Sequence, residues 1–165
     1  MLIEAFANLE DLDTQLAIVG HDDGQLNEVQ SLIEQFQLGD RVILTGLLSG
    51  PDVLSAFQDS DLFVLPCRTD TFPVTIMEAC LVGTPMVITD RCEIAHLVQD
   101  RIGDVVPFDP HAFAAAIHNL LTDKDRYARY RDNSQSVFTN TFSIEATVDR
   151  LEAVYERVVA ERSNG

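Results

Sequence analysis

Basic residues are scarce in this chain. Lysine and arginine together number 11 against 27 aspartate and glutamate residues, which gives a formal net charge of −16 at pH 7. A nucleic-acid-binding domain presents a basic face, and docking on an anionic membrane surface needs basic clusters, so we expect neither partner. An anionic ligand would have to be held by local backbone amides and helix dipoles, because the field of the whole chain repels it.

Cysteine and histidine are also few, and their spacing fits no disulfide or metal motif. The three cysteines, Cys67, Cys80 and Cys92, are an odd number without a CxxC pair. We interpret them as reduced thiols rather than as a disulfide framework or a zinc site. The histidines are scattered and form no motif such as HExxH, so the sequence predicts no metal site. They are His21, His96, His111 and His118.

Long apolar runs and a targeting segment are missing as well. No apolar run approaches the ~20 residues that a membrane-spanning helix needs. The opening segment MLIEAFANLEDLD is amphipathic and acidic, without the basic region of a signal peptide. We therefore expect a cytoplasmic protein without direct membrane insertion. With 165 residues, 46% of them hydrophobic, the chain suits a single domain, residues 1–165, with a sizeable core.

Short apolar segments alternate with helical patterns along most of the chain. The apolar segments do not alternate between polar and apolar residues, which is typical of strands covered on both faces. They are 15–19, 41–45, 61–65, 85–88 and 104–106. The sequence therefore predicts an α/β fold, a Rossmann-like doubly wound parallel sheet flanked by helices, with a helical C-terminal tail. Such sheets bind ligands at the carboxyl ends of their strands.

The predicted helices cover 24–38, 51–58 and 73–81, a segment from Pro110, and a last segment from Ser143. The helices 24–38 and 73–81 are expected to stop at Gly39 and Gly83, because glycine commonly ends helices. The last helix carries apolar residues at helical spacing, interpreted as core packing: Val148, Leu151, Val154, Tyr155 and Val158. The first ten residues also read as a helix, and in a regular βα series a strand would precede it. We expect the chain to be part of a longer polypeptide, with the first strand of its domain missing.

The stretch CRTDTFPVTIMEACLVGTP, residues 67–85, carries the most chemistry. Asp70 lies in a loop after a predicted strand, and Glu78 lies about one turn into the following helix. A helix starting near Pro73 would leave the N–H groups of Val74, Thr75 and Ile76 without intrahelical partners, which favours a phosphate there. Carboxylates accept two hydrogen bonds and can hold the vicinal diols of sugars.

A simpler interpretation of the same two acids stays open at this point. Asp70 could be a loop acid that is hydrogen-bonded locally, and Glu78 could be an acid favoured by the dipole of a helix start. Two acids with seven residues between them are common in an acidic chain. Spacing alone does not decide between a ligand site and these local roles.

The segment DTFPVTIMEACLVGTPMVITD resembles the signature of family-four glycosyltransferases, which are retaining nucleotide-sugar enzymes of the GT-B superfamily. That signature is two glutamates with seven residues between them, followed by a glycine and a proline. The residues that match in order are Phe72, Pro73, Glu78, Ala79, Gly83, Pro85 and Val87. Segments such as LAIVGHDDG, LSAFQDSDLFVLP and FSIEATVDRLEAVYERV extend the resemblance over nearly the whole chain, as the C-terminal, donor-binding domain of such an enzyme.

The resemblance implies a set of contacts with a nucleotide-sugar donor. The sugar would contact Asp70, Thr71, Phe72 and Pro73, and the diphosphate would contact the amides of Val74 and Thr75. The ribose would be held by Glu78, and the nucleobase would lie against the backbone of Gly46 and Leu47. The family is metal-independent, so no cofactor is expected.

This sequence departs from the family pattern at three points. Asp70 stands where glutamate is usual, so its carboxylate reaches one methylene less far, and Thr71 stands where glycine is usual. The arginine and lysine that clamp the diphosphate precede the first helix of the domain and have no counterpart here. The N-terminal acceptor domain is also absent, so we expect the chain alone to transfer little or no sugar.

The expected function is donor binding in a retaining glycosyltransferase that transfers sugar from a nucleoside-diphosphate sugar to an acceptor hydroxyl. The full-length enzyme could still lie peripherally at the inner membrane face. The alternative is a non-catalytic or split-subunit nucleotide-binding module that is active only with a partner chain, and the charge would suit a basic partner. In either case the missing strand predicts an exposed sheet edge or groove and a tendency to self-associate.

Overall fold

A computed structural model describes residues 1–163 of the chain. The strands are β1 (Leu16–Val19), β2 (Val42–Gly46), β3 (Phe63–Leu65), β4 (Met86–Thr89) and β5 (Gly103–Val106). The helices are α1 (Leu2–Ala7), α2 (Leu26–Gln35), α3 (Pro51–Asp59), α4 (Val74–Val82), α5 (Ala95–Val98), α6 (Pro110–Thr122), α7 (Lys124–Val137) and α8 (Ile144–Ser163). A π-helical turn (Phe138–Phe142) joins α7 to α8. All five predicted strands are present within two residues of their predicted ends.

The strands form two parallel groups rather than one continuous sheet. β1 pairs with β2 in one group, and β4 lies between β3 and β5 in the other. Within residues 1–163, β1 and β3 share no hydrogen-bonded ladder. Every pair is parallel, and each crossover contains a helix, which confirms the predicted α/β architecture.

Helices cover both faces of the second group, and β4 shows this best. All four residues of β4 are buried. Val87 packs into one hydrophobic cluster, formed mainly by α1, α2, α6 and the first strand pair. Met86 and Ile88 pack into the other, formed mainly by α4, α5 and the end of α7. A strand that is covered on both faces carries apolar residues on both sides, which explains why the sequence of β4 does not alternate between polar and apolar residues.

The first group is covered on one face only, and here the sequence prediction of two covered faces is wrong. Leu16 of β1 and Val42 of β2 are buried, whereas Ile43 is 48% exposed and Val19 is 46% exposed. In β1 and β2, the apolar character of a residue therefore does not predict that its side chain is buried. An apolar residue on a strand fits a pleated surface whether or not a second layer covers it.

A polar cluster fixes α7 against β5. Tyr130 is fully buried, and its hydroxyl donates a hydrogen bond to Asp104 Oδ1 at 2.9 Å. The other oxygen of Asp104 lies 3.3 Å from Nη2 of Arg126. A buried carboxylate is tolerated because both of its oxygens are satisfied in this way.

The two predicted glycine stops behave differently. Gly83 ends α4 in the left-handed conformation with φ of 86°, as predicted. Gly39 does not end α2, because the left-handed residue there is Gln37 with φ of 55°. The amides of Gln37 and Leu38 bond back to carbonyls of the last turn, at 3.0 and 2.9 Å, and this closes the helix before the glycine is reached.

The last helix corrects another prediction. Its apolar stripe was interpreted as core packing, yet all five stripe residues are exposed by 40% to 61%: Val148, Leu151, Val154, Tyr155 and Val158. Ile144 at its start is 78% exposed. A helical period shows which residues share a side of a helix but not what that side contacts. None of the helices over residues 1–163 is both long and apolar enough to cross a lipid bilayer.

Candidate functional site

The loops that follow the parallel strands contain most of the predicted site residues. Residues 66–73 follow β3 and lead into α4, and residues 47–50 follow β2. Residues 90–94 follow β4 and therefore lie beside the 66–73 loop at the same sheet edge. Side chains and amides from these loops can reach a common ligand because the carboxyl ends of parallel strands open to one edge.

The loop at Asp70 is held by the neighbouring turn. The Asp70 N–H donates to the Arg91 carbonyl at 3.3 Å, and the Glu93 N–H donates to the Asp70 carbonyl at 3.0 Å. The side chain of Asp70 accepts the Phe72 N–H through Oδ1 at 3.1 Å. The local hydrogen bond of the simpler interpretation is therefore present. It uses one carboxylate oxygen, and over the described residues Oδ2 has no hydrogen-bond partner.

The N-terminus of α4 is open. The helix begins at Val74 after Pro73, and no side chain caps it. In the described part of the chain the N–H groups of Val74 and Thr75 have no acceptor, and Val74 is 57% exposed. The third amide predicted to be free is not, because the Ile76 N–H donates to the Pro73 carbonyl at 3.1 Å. Two amides, rather than three, face outward with the positive end of the helix dipole.

Three other helices close their N-termini with aspartate. The carboxylate of Asp22 accepts the amides of residues 24, 25 and 26 at 2.7 to 3.1 Å. The hydrogen bonds from Leu26 and Gly24 are the main reason that the pKa of Asp22 lies below its usual value. Asp109 caps α6 and Asp123 caps α7 in the same manner. These helix ends are therefore already occupied by an anion of the chain itself.

Glu78 lies in the second turn of α4 and is half-buried. No hydrogen bond or ion pair to its carboxylate occurs within residues 1–163. Neither oxygen of Glu78 is among the fully buried atoms that lack a partner in the described residues, so water or a ligand can reach both. Both oxygens of Glu78 remain available as acceptors for a ligand.

Gly46 and Leu47 lie at the end of β2, on the other strand group. Gly46 has φ of 71°, a conformation that side chains disfavour, and its carbonyl accepts the Gly20 N–H at 3.0 Å and the Thr45 hydroxyl at 2.9 Å. Leu47 is 69% exposed. The carbonyl of Gly46 is thus engaged, while the side chain of Leu47 offers an open apolar surface.

Thr89 supports the site loop and was not anticipated from the sequence. It is fully buried at the end of β4, and its hydroxyl donates to the Cys67 carbonyl at 2.7 Å. The signal was available, because Thr89 ends a strand that is otherwise apolar, next to the strand that delivers the loop. A hydroxyl at that position can satisfy an irregular backbone beside the sheet edge.

The front of the loop is bordered by aromatic rings. The Phe72 ring is 48% exposed and meets Phe142 of the π-helical turn edge-on, with centroids 6.1 Å apart. The guanidinium of Arg68 lies over the Phe108 ring, 5.5 Å from its centroid. Arg68 therefore interacts with an aromatic face in this structure and forms no ion pair with Asp70 among the described residues.

Two surface grooves of the chain lie away from these loops. One runs along the π-helical turn and α8, and the other lies between α1 and α6. Over residues 1–163 no group of three or more His, Cys, Asp or Glu side chains is placed to hold a metal ion.

Comparison with known proteins assigns the chain to a family. The profile described as Glycosyl transferases group 1 matches residues 1–137. The chain is 30% identical to the alpha-D-kanosaminyltransferase of Streptomyces kanamyceticus over 94% of its own length and 41% of that protein. It is 31% identical to the D-inositol 3-phosphate glycosyltransferase of Salinispora tropica over 98% of its length and 36% of that protein. The chain thus spans about two fifths of these curated relatives.

Solved structures share the fold. Anabaena HepE in complex with UDP superposes with a TM-score of 0.84 at 21% identity, over 94% of this chain and 44% of that one. The C-terminal domain of the group 1 glycosyltransferase LpcC of Francisella tularensis superposes with a TM-score of 0.75 at 18% identity, over 86% of this chain and 77% of that one. On its profile match, relatives and GT-B fold, the chain belongs to the Glycosyl transferases group 1 family.

Proposed function

We propose that residues 1–165 are the donor-binding domain of a retaining glycosyltransferase, the C-terminal half of a two-domain enzyme that transfers sugar from a nucleoside-diphosphate sugar to an acceptor hydroxyl. One observation carries the proposal. The open N-terminus of α4 presents the free amides of Val74 and Thr75, flanked in sequence by the carboxylates of Asp70 and Glu78. In a chain of a sugar-transferring family, that order matches the hydroxyls, phosphates and ribose of the donor.

The diphosphate contacts the amides of Val74 and Thr75. Two N–H groups at a helix start hydrogen-bond phosphate oxygens, and the dipole adds about 0.3–1 kcal/mol at an exposed site. This is too little to overcome the repulsion of an acidic chain alone. Further positive groups come from outside the chain, and the site takes up its donor without a metal ion or other cofactor.

The sugar lies over the loop formed by Asp70, Thr71, Phe72 and Pro73. The free Oδ2 of Asp70 accepts a sugar hydroxyl while Oδ1 holds the loop through Phe72. Pro73 contributes shape only, because it has no N–H. The exposed Phe72 ring supplies an apolar floor beside Phe142.

Glu78 holds the ribose and the β2 loop receives the nucleobase. The unpaired, half-buried carboxylate of Glu78 accepts both hydroxyls of a vicinal diol, which explains why the chain leaves it without a partner. The nucleobase rests on the Leu47 side chain, beside the backbone of Gly46. The exposed apolar surface of Leu47 suits a flat aromatic ring.

The relatives support the domain assignment. HepE was solved with UDP and also with UDP-glucose, and the LpcC structure is a C-terminal domain. An N-terminal domain that carries the acceptor would close the open surface of the site. Transfer needs that closure, so this chain by itself transfers little or no sugar.

A second candidate is a split-subunit nucleotide-binding module that works with a separate partner chain. The exposed apolar stripe of α8 and the unpaired edges of β1 and β3 favour it. Contiguous exposed apolar patches are a feature of surfaces that other polypeptides bind. The same surfaces also support the expected self-association of the chain when no partner is present.

Calorimetric titration of UDP, GDP and ADP, and of their glucose or mannose conjugates, into the full-length enzyme that contains this chain tests the proposal. We expect one nucleotide class to bind and Glu78→Ala to weaken it by about tenfold to a hundredfold, because a hydrogen bond to a charged group contributes about 1.5–3 kcal/mol. Asp132→Ala removes an exposed helical acid in the middle of α7 and serves as the matched control, with unchanged affinity.

Two results contradict the proposal. If wild type and Glu78→Ala bind the nucleotide with equal affinity, Glu78 does not hold the ribose. Absence of binding by all three nucleotide classes at millimolar concentration, in a full-length enzyme whose circular dichroism shows a folded α/β protein, would contradict the donor-binding function altogether.

A further inference from the structure

The loop after β3 and the turn after β4 run side by side in fixed register. Thr89 donates its hydroxyl to the Cys67 carbonyl at 2.7 Å, and its Oγ1 lies 3.5 Å from Cys67 Sγ. Two backbone hydrogen bonds join Asp70 to residues 91 and 93 of the turn. Asp70 and Cys92 are also partners in an isolated parallel β-bridge. These contacts place the Cys67 and Cys92 side chains next to each other.

The two cysteines lie side by side but differ in access. Both pack against Thr89, because Cys67 Sγ lies 3.5 Å from its Oγ1 and the Cys92 N–H donates to its carbonyl at 3.4 Å. Both also belong to the same hydrophobic cluster. Cys67 is half-buried, and Cys92 is 3% exposed. Cys67 is therefore the more accessible of the two residues, and Cys92 is reached most readily through its neighbour.

Cys80 has a different environment, and it provides an internal control. It is fully buried in α4, and its thiol donates to the Ser134 carbonyl at 2.9 Å. Burial is the main cause that raises the pKa of Cys80 to about 12, so it forms almost no thiolate. Cys80 has neither a thiol partner nor a route to solvent among the described residues.

We infer that Cys67 and Cys92 are a redox pair that closes reversibly to an intramolecular disulfide by exchange with a small-molecule disulfide such as oxidised glutathione. The Cys67 thiolate attacks one sulfur of the small disulfide, which forms a mixed disulfide and releases one small thiol. The Cys92 thiolate then attacks the Cys67 sulfur and releases the second small thiol. The pair loses two protons and two electrons, and the two released thiols carry both.

The order of attack follows from the environment of each sulfur. Burial is the main cause that raises the pKa of Cys92, which makes it the slower first nucleophile. Once Cys67 carries the mixed disulfide, the second step is intramolecular, and the neighbouring positions of the two side chains replace a collision in solution. The mixed disulfide is therefore short-lived.

Closure changes the loop that holds Asp70. A disulfide joins its two sulfurs at about 2.05 Å, so the loop and the turn are drawn together at this point. The Cys67 end of the loop is then tied to the turn covalently as well as through Thr89. Because the link constrains the unfolded chain, we expect the melting temperature of the oxidised protein to rise by about 5–10 °C.

The test uses the intact wild-type chain, so it does not depend on any variant folding. The protein is incubated with oxidised glutathione near pH 8, acid-quenched and measured by intact mass and by alkylation of free thiols. We expect the loss of two hydrogen atoms in mass, a single alkylatable cysteine, a Cys67–Cys92 link in the peptide map, and full reversal by dithiothreitol.

Single variants sharpen the result. Cys80→Ser should form the same link, whereas Cys92→Ser should retain glutathione at Cys67 as a stable mixed disulfide. The inference is overturned if wild type keeps three alkylatable thiols, if Cys80 enters the link, if the disulfide joins two molecules, or if wild type also stops at the mixed disulfide. None of these outcomes depends on nucleotide binding.

Discussion

Replacing Thr89 by valine should loosen the loop that carries the proposed donor site. Thr89 is fully buried, and its hydroxyl donates to the Cys67 carbonyl at 2.7 Å. Valine has nearly the same volume, so the change removes the donor without opening a cavity. A buried acceptor left without its donor costs about 1–3 kcal/mol. For a chain of this length we therefore expect the melting temperature to fall by about 2–12 °C.

Two assays separate this effect from general destabilisation. Thermal unfolding followed by circular dichroism gives the magnitude, and Thr45→Val is the matched control because the hydroxyl of Thr45 is exposed, with an expected change within about 0.5 kcal/mol. Amide hydrogen exchange reports on the loop itself. We expect the N–H groups of Asp70 and Glu93, which bridge loop and turn, to exchange faster in Thr89→Val. If the valine variant has the melting temperature of wild type and both amides exchange at wild-type rates, Thr89 does not support the loop.

The remaining predictions concern β5 and its neighbours. Gly103→Ala should destabilise the fold by at least about 1–3 kcal/mol, because the new Cβ would overlap the Met86 carbonyl oxygen. Gly39→Ala, where no atom lies within 4 Å, should stay within about 0.5 kcal/mol in the same urea titration, and equal midpoints for the two variants would contradict the packing. Burial, and then the hydrogen bond to Asp104, raise the pKa of Tyr130 to about 12. The neutral phenol therefore stabilises the fold fully below about pH 10, and this contribution is lost as the pH rises from about 10 to about 12. Tyr130→Phe should be less stable than wild type at neutral pH, and the difference should narrow over that alkaline range; stability curves that stay parallel there would refute it.

The strand pattern was predictable because the chemistry that specifies it is local. Each strand is a short apolar run bounded by glycine, proline or a polar residue, and each was located within two residues. The start of α6 was equally clear, since Asp109 precedes Pro110 and accepts the Ala112 amide at 2.8 Å. The four-residue helix α5 was missed, because it is too short to show a period.

What the sequence could not specify depends on contacts between distant segments. The period of α8 predicted an apolar side, but its exposure depends on whether another layer covers it. The hydrogen bond from the Ile76 N–H to the Pro73 carbonyl depends on the geometry of a single turn, which residue patterns do not predict. In the candidate site, the loop acid and helix acid were found from residue order, whereas the proximity of Cys67 and Cys92 arises only when two neighbouring strands place their loops together.

The break between β1 and β3 bears on how the domain opens. Strands in one ladder lose their hydrogen bonds together, but the β1–β2 pair is joined to the rest by side chains of α1, α6 and the core around Phe113. We expect that pair to open as a separate cooperative unit at a lower free energy than global unfolding, which amide hydrogen exchange would show. A ligand that contacts both Leu47 and Glu78 would bridge the two strand groups. Because it binds only when both groups are folded, it would couple their unfolding into one transition.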